Sequence, residues 1–364
     1  MNRLRVLVVD DSAFSRRTIT RMLEGLDVVE VVGYAVDGED GIHKTIALKP
    51  DLVTLDLEMP RLDGFSLLRV LHERFSTPVI VVSASSSAEK VFRALELGAF
   101  DFVAKPSSTA SHELLEIRAD LHAKVLQVAH LKLRKSALPS KSAGEPRETQ
   151  VSKPEPPKRD SDVRHPFDIV AIGASTGGPP ALHAIAAAFQ QEIPFAIVIS
   201  QHMPPGFTHA FAERLGRFSA FKVKEAEDGD PVLPGHMFVA PGGYNLLLEH
   251  SSGQVVTRVV VPSKTDRYVP SVDAMLESCA RVFRDRVLAV ILTGMGNDGS
   301  SGVQAVKSQG GYVIAESEET AVVYGMPREA CATGAVDCVL PLNMIPSAIL
   351  RQGGFDMKTV HLPE

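Results

Sequence analysis

Short apolar runs alternate with helix-length segments in two blocks along this chain, and that alternation admits few folds. In the first block the runs are "LRVLVV", "VVEVVGYA", "DLVTLDL", "PVIVVSA" and "DFVAKP", each followed by a helical pattern. A strand that is apolar without interruption is covered on both faces, and strand-helix alternation provides that cover by crossing helices over a parallel sheet. Residues 1–125 therefore read as a doubly wound α/β domain with five parallel strands. The alternation resumes with "DIVAIGA", "PFAIVIS", "VLAVILTG" and "GYVIAE". It is interrupted by a hairpin-like region around "GHMFVAPGGYNLLLEH" and "QVVTRVVVP". Residues 167–355 read as a second doubly wound α/β domain, with a mostly parallel sheet and an antiparallel hairpin.

Between the blocks, "SALPSKSAGEPRETQVSKPEPPKRDSDVRHP" from Ser136 to Pro166 has no hydrophobic period and is rich in Pro, Ser, Lys and Glu. Such a segment buries too little apolar surface to order itself. Residues 126–166 are read as a helix end followed by an interdomain linker. The remaining composition, 45% apolar and 23% charged over 364 residues, suits two globular cores. From His165 onward there are 14 basic and 20 acidic residues. That excess of acid argues against a nucleic-acid-binding output domain, which carries a basic face. No apolar run reaches membrane-spanning length and the amino terminus lacks a signal-peptide profile, so a cytoplasmic protein without membrane insertion is expected. Cys279, Cys331 and Cys338 show no paired spacing and support neither a disulfide framework nor a zinc site.

In open parallel sheets the functional groups gather at the carboxyl ends of the strands. In the first domain those ends carry Asp10 and Asp11, then Asp56, Ser83 and Lys105. Clustered carboxylates repel, and a hard divalent cation with oxygen ligands, most plausibly magnesium, relieves the repulsion. A carboxylate beside that cation can accept a phosphoryl group, with the ammonium and the hydroxyl stabilising the transferring oxygens. The motifs "VVDDS", "LDLEMPRLDG", "VVSAS" and "AKP" resemble those of two-component response-regulator receiver domains, a flavodoxin-like fold. The resemblance implies that Asp56 is the phosphoacceptor and that Asp10, Asp11, Asp56 and the backbone carbonyl of Glu58 surround Mg2+. It also implies that Ser83 and Lys105 bind the phosphoryl group, that a histidine kinase donates it, and that the Lys105–Pro106 bond is cis or strained. Phe102 stands where that family often has a switch tyrosine.

A receiver announces regulation, not output, so the second domain must supply the activity. In "GASTGG", Gly173, Ser175 and Gly177 satisfy G-x-S-x-G between a strand and a helix, the context of a nucleophile elbow; a tight turn or a phosphate cradle are the rival readings. The next strand ends at His202, whereas His183 and His209 fall in helical patterns and His236 and His250 border the hairpin region. A later strand ends in "GMGNDGSSG", which carries Asp298. Serine, histidine and aspartate from three strand ends are the parts of a hydrolytic triad, in an order that differs from that of the α/β-hydrolases. Alternatively, Asp298 caps a helix beginning near Ser300. The backbone N–H groups of Thr176 and of Met295, in the Gly-Met-Gly turn, are the candidate oxyanion donors, each worth roughly 3 to 4 kcal/mol in comparable sites. The helix opening near Pro179 would aim its positive end at the same place. Met203 and Met295 either wall the site or fill the core.

The stretches "IGASTGGPPAL", "VISQHMPPGFT", "APGG" and "ILTGMGNDGSSG" resemble the catalytic domain of the chemotaxis protein-glutamate methylesterases. The resemblance implies Ser175 as nucleophile, His202 as general base and acid, and Asp298 as the group that orients His202. It implies no cofactor for the esterase chemistry. The substrates would be glutamate methyl esters on methyl-accepting chemoreceptors, with methanol released, and selected receptor glutamines, which are deamidated. The unphosphorylated receiver would cover the catalytic edge. Two other readings fit the same residues: a non-enzymatic receiver adaptor, and a serine hydrolase acting on a different acylated protein or small ester.

Overall fold

The computed structural model describes residues 3–83, 87–105, 111–137, 167–191, 193–264 and 266–354. In the amino-terminal domain the apolar runs become β1 (Leu4–Val9), β2 (Val29–Ala35), β3 (Leu52–Leu55), β4 (Val79–Ser83) and β5 (Asp101–Ala104). Between and after them lie α1 (Ala13–Glu24), α2 (Gly38–Leu48), α3 (Gly64–Val70), α4 (Ala88–Glu96) and α5 (Ser111–Ala137). Strands β3 and β4 are buried along their whole length, which is why they read as unbroken apolar runs. The helices begin where a short polar side chain meets an orphan amide: Asp37 accepts from Asp40 N at 2.9 Å, and Asp63 from Ser66 N at 2.8 Å. The strand order is β2-β1-β3-β4-β5 and every pair is parallel. The chain leaves β1 in one direction to form β2 and returns on its other side as β3, which opens a crevice at their carboxyl ends.

The carboxy-terminal domain is built from β6 (Ile169–Ala174), α6 (Gly178–Ala188), β7 (Ala196–Gln201), α7 (Thr208–Gly216), β8 (Lys222–Glu225) and β9 (His236–Val239). Then come β10 (Asn245–Ser251), β11 (Gln254–Val260), α8 (Val272–Phe283), β12 (Val287–Ile291) and α9 (Ser300–Ser308). The chain ends with β13 (Tyr312–Glu316), α10 (Met326–Ala332), β14 (Cys338–Leu340) and α11 (Ile345–Gln352). Seven strands form one parallel sheet in the order β14-β13-β12-β6-β7-β9-β8. Central β6 lies between β7, which follows it in the chain, and β12, which comes more than a hundred residues later. This is the second topological switch point.

Three details differ from the sequence expectation. The segment His236–Val239, read as part of the hairpin region, is a parallel strand paired with β7. The antiparallel excursion is β10 with β11 alone, a separate two-stranded sheet whose Leu246 and Leu248 pack with Met275, Leu276 and Cys279 of α8. The edge strands β8 and β14 give no apolar run, because β8 is "KVKE" and β14 has only three residues.

The last helix of the first domain, α5, continues to Ala137 and so takes in Ser136, where the linker was expected to begin. Pro106 and the rest of the expected linker, Leu138 to Pro166, lie outside the described residues. The two domains meet through aromatic side chains. Phe92 of α4 packs on Phe211 of α7 with ring centroids 5.2 Å apart, and Phe102 of β5 on Phe207 at 4.8 Å. Through these contacts one face of each domain's core joins a single apolar cluster, while the other face of each sheet has a cluster of its own. Among the described residues no helix is long and apolar enough to cross a membrane.

Gly173, the first glycine of the G-x-S-x-G run, is next to last in β6 and faces the start of α8. A Cβ there would lie 2.2 Å from Val272 Cγ1. Gly173→Ala is expected to lower the unfolding free energy by about 1 to 3 kcal/mol through overpacking, measured by urea titration.

Candidate active site

At the first switch point Asp10 and Asp56 are buried, Asp11 is exposed, and the three carboxylates each offer an oxygen within 4.8 Å of the others. Lys105, at the end of β5, donates to Asp56 Oδ2 at 2.6 Å and stands 3.1 Å from Asp10 Oδ2. Burial pushes the Asp10 carboxyl above its ordinary value; the Lys105 charge opposes this and the Asp56 charge adds to it. Burial pulls the Lys105 ammonium down, but Asp56 and Asp10 outweigh it and the ammonium is held above its usual range. Asp10 Oδ2 is buried without a hydrogen-bond partner. Three converging carboxylates, one with a buried oxygen offset only by the Lys105 ammonium, are a donor set that fits a hard divalent cation. Ser83 is buried at the end of β4, and the Glu58 side chain turns to the ammonium of Lys90, which leaves only its backbone for such a site.

At the second switch point the ends of β6, β7 and β12 lead into Ser175, His202 and the Gly-rich turn that carries Asp298. His202 Nε2 is 2.7 Å from Asp298 Oδ2, with the imidazole mostly shielded and the carboxylate buried. Burial would raise the Asp298 carboxyl, but the hydrogen bond and charge of His202 and the amides of Val272 and Asp273 outweigh it and hold it below its ordinary value. Against an ionised carboxylate, Nε2 carries the proton and Nδ1 is left as the acceptor nitrogen. The Ser175 turn is tied to the end of β12: Ser175 N donates to Thr293 O at 3.0 Å, and Thr293 Oγ1 donates to Thr176 O at 2.8 Å. Thr293 N in turn donates to the buried Glu316 at 2.7 Å. The fold thereby joins the Thr176 turn to the segment that leads into Met295. Met203 is buried in the apolar cluster and so fills the core, while Met295 is half-buried.

Two family models match the chain: the response regulator receiver domain over residues 6–117 and the CheB methylesterase over residues 170–349. A protein-glutamate methylesterase/protein-glutamine glutaminase of Geobacter sulfurreducens is 55% identical over 97% of this chain and 98% of its own length. The Myxococcus xanthus protein of the same name is 45% identical over 95% of this chain and 96% of its own. The chain belongs to this family. It is also similar to a crystal structure of the Thermotoga maritima CheB methylesterase catalytic domain, at 44% identity, covering 50% of this chain and 97% of that one with a TM-score of 0.49.

Several residues of the methylesterase domain's functional edge gave no signal of their own in the sequence. Asp298 does not cap the helix that follows it. Its carboxylate accepts from Val272 N at 2.8 Å and Asp273 N at 2.9 Å, in the first turn of α8, while Asp273 accepts from Gly299 N at 2.9 Å and Gly302 N at 2.7 Å at the start of α9. The two aspartates thus serve each other's helix. Asp273 was legible only as an acidic residue after "PSV", a common N-terminal-turn pattern, and Tyr268, stacked on His202, as an unremarkable loop aromatic.

The receiver reaches the same edge. Asp101, the first residue of β5, accepts a 2.6 Å hydrogen bond from the hydroxyl of Thr176, and both residues are buried. Around this contact Arg214 of α7 pairs with Glu96 and Glu89 of α4, and Arg217 with Glu89 at 2.7 Å. Desolvation raises the Asp120 carboxyl of α5; Lys124 opposes this, Asp101 adds to it, and His202 is among the charges it senses.

Burial pushes the Asp273 carboxyl up to about 6, with the amides of Gly302 and Gly299 opposing and the Asp298 charge adding. A folded-state value above the ordinary 3.8 means that this group's contribution to stability is present at low pH and lost as pH rises through about 6. The unfolding free energy of the wild type relative to Asp273→Asn is expected to fall between pH 4 and pH 7, as followed by urea titration at each pH.

Proposed function

We propose that this protein is a phosphorylation-activated hydrolase of chemotactic adaptation, with Ser175, His202 and Asp298 as its catalytic triad. Family membership carries the activity: demethylation of glutamate methyl esters and deamidation of glutamines. The observation that carries the residue assignment is the 2.7 Å hydrogen bond from His202 to the buried Asp298, beside the serine turn at the switch point. The substrates are methyl-accepting chemoreceptors, and the protein works in the cytoplasm without nucleic acid.

In this reading Ser175 Oγ attacks the γ-carbonyl carbon as its proton passes to Nδ1 of His202, the nitrogen that Asp298 leaves free. The negative charge that develops on the carbonyl oxygen is met by the backbone N–H groups of Thr176 and Met295. Collapse of the tetrahedral adduct breaks the bond to the methoxy oxygen, which takes the proton from His202 and leaves as methanol. A glutamine loses ammonia at the same step. Water, deprotonated by His202, then hydrolyses the acyl-serine and returns a glutamate carboxylate and the free serine. Asp298 compensates the imidazolium charge in both halves and needs no metal for it.

In the receiver, Asp56 accepts the phosphoryl group from a histidine kinase, with Ser83 and Lys105 on the transferring oxygens. Asp10, Asp11, Asp56 and the backbone carbonyl of Glu58 would hold magnesium, which when bound offsets the charge of carboxylates and phosphoryl oxygens. The docked receiver covers the edge from which a receptor helix must approach, and phosphorylation shifts the population toward an uncovered form.

Ser175→Ala and His202→Ala are each expected to lower methanol release from methyl-labelled receptors by at least about 10³-fold, and the double variant to be little worse than either. Near wild-type release from Ser175→Ala removes the nucleophile from this reading. Asp298→Asn is expected to do less harm than either. A small phosphodonor with magnesium labels the wild type but not Asp56→Asn. Arg214→Ala, which removes its pairs with Glu89 and Glu96 and leaves Ser175, His202 and Asp298 untouched, is expected to raise the basal rate severalfold in the absence of phosphodonor; an unchanged basal rate counts against receiver docking as the brake.

A further inference from the structure

A triad histidine held by one hydrogen bond is only half oriented. The contact between Nε2 and Asp298 fixes where that nitrogen sits, but it leaves the ring free to tilt about the hydrogen-bond direction, and tilt decides whether Nδ1 can face the serine. Something else must set the plane of the ring. Tyr268 lies against His202 with ring centroids 5.1 Å apart and planes within 3° of parallel, an offset stack. Its phenol is placed from several sides. The hydroxyl donates to Asn297 Oδ1 at 3.4 Å, next to Asp298 in the Gly-rich turn. Gly296 makes room for it, since a Cβ at that position would lie 2.3 Å from the phenol oxygen. The Arg267 guanidinium also lies over the ring, 5.3 Å from its centroid.

The loop that presents Tyr268 is itself anchored to the two-stranded excursion. Asn245, the first residue of β10, donates to Asp266 Oδ2 at 2.8 Å and accepts from Ser271 N at 2.8 Å, so one side chain staples both ends of the segment around Tyr268. Ser200 on β7, two residues before His202, donates to Pro270 O at 3.3 Å. Val272 and Asp273, whose amides hold Asp298, follow directly. One short stretch, 268 to 273, thus delivers both restraints on the imidazole: the amides that place its carboxylate and the aromatic face that sets its plane.

We propose that Tyr268 is a positioning residue for His202, an inference that rests on the triad reading above. It acts twice in the cycle. In the resting enzyme the stack fixes the plane from which Nδ1 can reach the serine. When His202 takes the serine proton, the electron-rich face of the phenol lies against a cation, which favours the protonated ring as the adduct forms. Both effects belong to the aromatic face and not to the hydroxyl, so phenylalanine should replace tyrosine and an aliphatic side chain should not.

The test uses the full-length protein activated with acetyl phosphate and magnesium. Two readouts are followed: methanol release from methyl-labelled receptor membranes, and the rate at which a fluorophosphonate probe labels Ser175, which needs no receptor. Tyr268→Leu is expected to lower kcat and the labelling rate about tenfold, the scale of one lost stacking contact, with KM within about twofold. Tyr268→Phe is expected to restore both, and the thermal midpoints of the two variants should match. If Tyr268→Leu does not fold, Tyr268→Met repeats the comparison with similar volume and no aromatic face. The inference is overturned if the aliphatic variant labels at the wild-type rate, or if phenylalanine is as deficient as leucine. The triad reading fails separately, and visibly, if His202→Ala still labels with the probe.

Discussion

An ionised carboxylate with almost no access to water has to be solvated by the protein, and in this structure that carboxylate is Asp298. Its donors are the amides of Val272 and Asp273, the hydroxyl of Ser271 at 3.3 Å and the ring of His202. Three of the four come from the start of α8, so that helix must begin beside the end of β12, and Gly173 leaves the space for it to do so. Asp273 then returns the favour to the amides that open α9. The arrangement sets two helices, one strand end and the imidazole in a single closed set of hydrogen bonds. Removing any one donor leaves charge unpaired in a buried place, which is the costliest kind of loss.

What could be read in advance follows from which physical signals are local. Strands β1, β3, β6, β7 and β12 were legible because burial on both faces leaves an unbroken apolar run, and the residues at their carboxyl ends were legible because topology alone gathers them. His202, Asp10 and Asp56 came from that rule, and Ser175 from the G-x-S-x-G pattern at the end of a strand. Edge strands were not legible: β8, with its "KVKE", is covered on one side only and has no reason to be apolar. His236–Val239 sits among glycines and a proline and reads as a hairpin arm until its register with β7 is known.

The partners of the histidine were the least legible of all. An aspartate just before a helix is locally a cap, and sequence cannot say that its lone pairs go to another helix 25 residues away. Nor can it say that Tyr268 lies flat on a ring 66 positions earlier. Asn245 is a further case: in sequence it is the polar start of a strand, while in the fold it closes the loop that carries Tyr268 and the start of α8. The antiparallel excursion, which interrupts an otherwise regular alternation, is explained by that closure. It packs against α8 on one face and holds the histidine's loop at its end.

The same economy of short elements governs the junction of the two domains. Strand β5 has four residues, a rigid span of roughly 13 Å. At one end Lys105 is shared between Asp56 and Asp10, and at the other Asp101 holds the hydroxyl of Thr176. Between them the ring of Phe102 is buried against Phe207, five residues after His202 in the chain. Lys124 clamps the near end of the strand through Asp101 at 3.5 Å and through the Phe102 carbonyl. A phosphoryl group on Asp56 gives Lys105 a more strongly charged partner than the carboxylate it now pairs with. The strand that leads into that lysine pairs with β4 along one edge and meets the other domain through Asp101 and Phe102. The lysine beside Asp56 and the residue next to Ser175 are therefore linked through one short, mostly buried element, and the aromatic contacts beside it form the junction of the two domains.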